Sequence, residues 1–125
     1  MIHTLWQVAL GGALGASARY LTGVATMRLI GPGFPWGTLA VNIVGSFLMG
    51  VLVVVLAHKD ATRLAPLLMT GVLGGFTTFS AFSLDTITLI ERGQTMQAGF
   101  YIAASVILSL GAIVLAMLMT RGVFQ

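Results

Sequence analysis

Residues Gly71–Phe82, GVLGGFTTFSAF, lie in the middle of an apolar region and make a poor helix. Gly74-Gly75 is the weakest helix-forming pair of the segment, and Thr77-Thr78 adds two β-branched residues carrying hydroxyls. Phe79 and Phe82, three apart, share a face of the helix that resumes. In lipid, irregular backbone is tolerated only where it is buried in protein or lines a cavity. A helix broken at membrane depth is also a place for ions, because freed carbonyls hold cations and freed N–H groups hold anions. The stretch therefore has two readings. One is an ion-handling site at the break; the other, since Gly71 and Gly75 form a GxxxG, is a close-packed helix face.

That lipid is the right solvent follows from the scarcity of charge. Only nine of the 125 residues carry a formal charge, 7% of the chain, while 58% are hydrophobic. A soluble domain has about 25% charged residues, so this sequence has no water-facing surface to offer and reads as an all-α integral membrane protein. The net charge of +3 comes from six basic residues scattered along the chain. With no basic run, nucleic-acid binding is not supported. The absence of cysteine excludes disulfides, thiol catalysis and cysteine metal sites. Met1–Leu14 lacks a positive segment followed by a short apolar core and a cleavage site, so no removable signal peptide is expected.

At about 20 apolar residues per span, residues 1–125 accommodate one four-helix transmembrane domain. The expected helices are about 4–29, 36–57, 65–89 with a break at Gly74–Thr78, and 96–119. Gly11 and Gly15 favour close packing in the first. Gly31-Pro32-Gly33-Phe34-Pro35 makes a tight connection, and Trp36 opens the second helix at the membrane interface. His58–Arg63 is the most polar loop, and Pro66 falls in the first turn of the third helix, where a missing N–H is harmless. There is no convincing internal repeat. The side holding the N-terminus, the 58–63 loop and the C-terminus has Lys59, Arg63 and Arg121, and the other has Arg28 and Arg92. Three against two is almost no orientation bias. Either a weak bias sets one orientation, or the chain inserts both ways. In the second case an antiparallel homodimer supplies the inverted repeat that larger transporters encode in one chain.

The polar residues within the spans are few. Arg19 lies well inside the first, where a central arginine costs about 2.5–3.5 kcal/mol on insertion scales. It either serves a functional site or snorkels toward an aqueous mouth, and both uses put positive charge near a vestibule. Asn42, with Gly45, Ser46 and Met49, forms a polar and small face; its amide is either glue between helices or a donor to a passing anion. Tyr101, Ser105 and Ser109 recur every four residues, a line of hydroxyls along one face of the fourth helix. A lone serine bonds back to its own helix, whereas three in register suit a track of donors or a helix–helix seam. Ser80 and Ser83 follow the break. Asp85 is the only acidic residue within a span. No nucleophile–base pair sits at membrane depth, so an enzyme is not expected.

Taken together, these residues resemble the Fluc (CrcB) family of fluoride channels over essentially the whole chain. The most specific match is Gly74-Gly75-Phe76-Thr77-Thr78-Phe79-Ser80-Ala81-Phe82, close to the family's GGxTTFSTF and departing from it at Ala81. The runs Gly15–Tyr20 and Gly37–Gly45 also match. The resemblance implies a passive channel exporting cytoplasmic fluoride across the bacterial inner membrane, driven by the membrane potential and conferring fluoride resistance. It implies an antiparallel, dual-topology homodimer with two pores. Fluoride would pass Asn42, the ring edges of Phe79 and Phe82, Ser80, and the track of Tyr101, Ser105 and Ser109, with Arg19 near the vestibule. It also implies a structural Na⁺ at the dimer interface, held by the carbonyls of Gly74 and Thr77. The physics is compatible: a phenylalanine ring has a positive edge, and a ring of carbonyls suits a small hard cation. The alternative is a dual-topology antiporter exchanging cations or drugs for protons, which needs a titratable central carboxylate, a role only Asp85 could fill.

Overall fold

The computed structural model describes residues 1–125, and it contains helices and no strand. Helix α1 runs Ile2–Leu29 and α2 runs Trp36–His58. A 3₁₀ turn at Thr62–Leu64 leads into a π-helical stretch, Pro66–Leu73, which continues as the short α3, Gly74–Phe76. Then come α4, Phe79–Glu91, and α5, Thr95–Val123. Gly31 and Gly33 have φ of +96° and +115°, a region open to glycine, so the Gly31–Pro35 connection turns back tightly. Pro66 does open its helix.

Three stretches are long and apolar enough to cross a membrane: Trp36–His58, Thr62–Glu91 and Thr95–Val123. Helix α1, at 28 residues, is roughly 42 Å long, yet it is set apart by Arg19, Arg28 and several hydroxyls. The expectation of four apolar spans is thus met by three. Four polar side chains of α1 find partners within the protein, whereas the buried Gln7 Oε1 has none. Ser17, Thr22 and Thr26 donate to the carbonyls of Ala13, Ala18 and Thr22 at 2.7, 2.9 and 3.0 Å, and Arg19 bonds across to the third span.

The packing is organised in two pairs that meet at the break. Helix α1 lies on the Pro66–Phe76 half of the third span, and α2 lies on α5. The first pair is joined through glycine. A Cβ on Gly71 would sit 2.9 Å from the Gly11 Cα, and one on Gly75 would sit 2.7 Å from the Gly12 carbonyl oxygen, so both glycines allow backbones to touch. The packing reading of this GxxxG is therefore correct for its glycines.

It also corrects the position of the break. Gly74 is helical, with φ −62° and ψ −37°, and the helix continues to Phe76. The contact with α1 offsets the weak helix preference of Gly74-Gly75. Only Thr77 and Thr78 are extended, at φ −87°, ψ 158° and φ −154°, ψ 125°. Beyond them, Leu39, Leu89, Ala98 and Tyr101 form a small core where α2, α4 and α5 converge. Most other large apolar side chains face outward, as lipid or a second subunit requires.

Candidate ion site at the broken helix

Each threonine of the break closes one helix end. Thr77 donates its N–H and its hydroxyl to the Leu73 carbonyl, at 3.0 and 2.9 Å, and so finishes the preceding helix. The Thr78 Oγ1 accepts from the Ala81 N–H at 3.2 Å, an N-cap for α4, and lies 3.1 Å from the Ser80 hydroxyl. That leaves the backbone groups of Thr78 itself. Asn42 on α2 takes both: its Nδ2 donates to the Thr78 carbonyl at 3.0 Å, and its Oδ1 accepts the Thr78 N–H at 2.8 Å. The amide thereby stands in for a neighbouring strand, which is how extended backbone survives away from water. Asn42 is glue in this sense. Its Nδ2 has two hydrogens, and only one is spent on Thr78.

A continuous helix would give the Thr78 N–H to the Gly74 carbonyl; here it goes to Asn42, and the Gly74 oxygen loses that partner. The neighbouring Gly75 carbonyl accepts from the Arg19 Nε at 3.1 Å. Arg19 therefore ties α1 to the broken span. Together with Arg28, Thr38, Thr78 and Ala81 it lines a cavity of about 500 Å³. Ala81 faces this basic cavity.

On the other side of Thr78 is a second cavity, of about 320 Å³, lying between α2, the break and α5. Asn42, Ser46, Phe79, Phe82, Ser105 and Ser109 all face it, and none of its lining residues is charged. The Oγ atoms of Ser105 and Ser109 are buried and have no hydrogen-bond partner. They contrast with Ser17, Ser83, Thr86 and Thr120, each of which bonds back to a carbonyl four residues earlier. Phe79 and Phe82 stand together, ring centroids 5.5 Å apart and planes tilted by 46°. Phe79 is 77% exposed and Phe82 is packed on the core.

The structure therefore divides the residues singled out above. It brings Asn42, Phe79, Phe82, Ser105 and Ser109 to one cavity and puts Arg19 in the other. Tyr101 lies on α5 one turn before Ser105, fully buried, with its ring 5.1 Å from that of Phe82 and its hydroxyl donating to the Asp85 carboxylate at 3.1 Å. Ser80 is exposed and paired with Thr78. Asp85 is absent from both cavities and borders a third space beside Phe34 and Arg92. Two features escaped the sequence reading. One is the position of Thr78, which was expected only as part of the break and faces both cavities. The other is the Asp85–Tyr101 bond, which has no local signature. No group of three or more His, Cys, Asp or Glu side chains could hold a metal, so a cation here would depend on main-chain oxygens.

Comparison with known proteins places the chain. The family described as CrcB-like protein, Camphor Resistance (CrcB), matches residues 6–117. A protein of Cereibacter sphaeroides named fluoride-specific ion channel FluC is 68% identical over 122 residues, 98% of each chain. Proteins of the same name from a Ruegeria species and from Paracoccus denitrificans are 60% and 56% identical, again over 98–99% of each chain. On this similarity, which spans nearly all of its length, the protein belongs to the CrcB family.

Proposed function

We propose that this membrane protein is a passive fluoride channel. The observation that carries the reading is the pair of buried, unpartnered serine hydroxyls in an uncharged cavity. Leaving such donors unmet costs about 1–3 kcal/mol each, and a desolvated anion would meet that need. The names of the relatives supply the identity of the anion. Fluoride would be passed between the Ser105 and Ser109 hydroxyls, the free Nδ2 hydrogen of Asn42 and the ring edges of Phe79 and Phe82. Tyr101 would act from behind Phe82, its ring backing the aromatic pair. Ser80 would act through Thr78, and Arg19 would raise the local anion concentration in the basic cavity. Asp85, engaged with Tyr101 and away from both cavities, offers no support for proton-coupled exchange.

One chain leaves the cavity half open: Phe79 is largely exposed, so the path needs a second copy to close it. An antiparallel homodimer in the bacterial inner membrane, with one path per subunit, meets that need and agrees with the weak charge bias of the loops. The freed Gly74 carbonyl, on an exposed residue, and the extended Thr77 suit a structural Na⁺ shared by two copies. Such an ion would neutralise the facing carbonyl dipoles and fix the two breaks against each other. The test of the hydroxyl path is Ser105→Ala with Ser109→Ala in reconstituted protein. Fluoride efflux should fall at least about tenfold while the melting temperature holds or rises, because no protein hydrogen bond is lost. Undiminished efflux would remove the serines from the path.

A further inference from the structure

The groove between α2 and α5 opens again toward the end that carries the chain termini. There it forms a cavity of about 380 Å³, lined by Val53, Val54, Ala57 and His58 of α2 and by Met117 and Arg121 of α5. Its floor is apolar and its mouth is basic. On α5 the four-residue line that starts at Ser105 and Ser109 continues through Ile113 and Met117 to Arg121. Met117, which lines this cavity, offers no hydrogen-bond donor, so this part of the groove is unsuited to an anion moving on from the serines and suited to hydrocarbon.

Beside the mouth stands Phe124. Its ring stacks on His58, with centroids 3.9 Å apart and planes inclined by 20°. The Lys59 Nζ lies 5.7 Å from the same ring centroid, within cation–π range. The C-terminal aromatic thus gathers His58 and Lys59 at the edge where Arg121 emerges, and all three basic side chains are exposed. Asp60 is the only acidic side chain in this region, against Lys59, Arg63 and Arg121.

We propose that this groove is a binding site for a lipid with an anionic phosphate headgroup. An acyl chain lies along Val53, Val54 and Met117, and the phosphate sits among Arg121, Lys59 and His58. Basic pockets between membrane helices at the headgroup level recognise anionic lipids in this way, and the long stems of Arg and Lys let their charges reach that level. The site is separate from the ion cavity and does not depend on what that cavity conducts.

The test is native mass spectrometry of the purified full-length protein in detergent, titrated with phosphatidylglycerol or with phosphatidylcholine of the same acyl chains. Phosphatidylglycerol should be retained about tenfold more tightly. Arg121→Gln with Lys59→Gln should abolish that preference, and Arg121→Lys should keep most of it. Val54→Trp, which fills the groove and leaves every charge in place, should also lose the lipid. Equal retention of the two lipids, or a preference that survives both the double variant and Val54→Trp, would overturn the proposal. Displacement of phosphatidylglycerol by inorganic phosphate alone would also overturn it, by showing a free-anion site.

Discussion

Asn42 holds the Thr78 backbone with its amide, and the proposed function gives that amide a second role that substitutions can test. Asn42→Ala strips both partners from the Thr78 backbone, and at about 1–3 kcal/mol for each buried group left unpaired it should lower the melting temperature together with fluoride efflux. Asn42→Asp keeps an acceptor for the Thr78 N–H but sets a carboxylate against the Thr78 carbonyl and beside the anion path. Efflux should be abolished, measured with a fluoride electrode, and conduction at the original level would take Asn42 off the path. Phe79→Ile and Phe82→Ile keep apolar bulk and lose the positive ring edges. Each should cut efflux while the elution volume on size exclusion stays that of the unaltered protein, and normal flux in both would end the aromatic role. Much at this scale is legible in sequence. An amide at membrane depth must find partners, hydroxyls four apart share a face, and phenylalanines three apart stay together. The partners themselves are not legible. Asn42 meets Thr78 across 36 residues and Tyr101 meets Asp85 across 16, and no periodicity encodes either.

The broken span shows why helix preference alone misplaces its irregular residues. Glycine is the weakest helix former after proline, which points to Gly74-Gly75 as the break. Tertiary contact reverses the outcome. The missing side chains let α1 approach, and the backbone there stays helical. The extended residues are the threonines, because their hydroxyls and the Asn42 amide supply the bonds that the helix gives up. Gly75→Ala should therefore do its damage through α1. Its Cβ would press on the Gly12 carbonyl and, at 3.1 Å, on the Ala16 N, and overpacking of this kind costs about 1–3 kcal/mol. The melting temperature should drop, and Arg19, held to the Gly75 carbonyl, should be displaced with it. A melting temperature equal to that of the unaltered protein would mean that the α1 contact does not fix the helical end of the break.

At the scale of the whole molecule, three features motivate the proposed dimer. The aromatic pair is open on one side, a freed carbonyl lies on an exposed glycine, and the loops scarcely prefer one side of the membrane. Two lysines added to the 58–63 loop should fix a single orientation. That variant expressed alone should lose efflux, and full activity would count against the antiparallel dimer. The count and order of helices follow from the apolar runs and the Gly-Pro punctuation. The polar character of α1 follows as well, since Arg19 and the hydroxyls are visible in the sequence. The pairing of α1 with the first half of the third span, and of α2 with α5, depends on distant contacts that spacing does not reveal. Conduction of fluoride is tested most directly by anion efflux from liposomes containing the purified protein, with valinomycin clamping the potential. Rapid loss of fluoride with chloride retained is expected; well-folded protein that retains fluoride would rule out a fluoride channel.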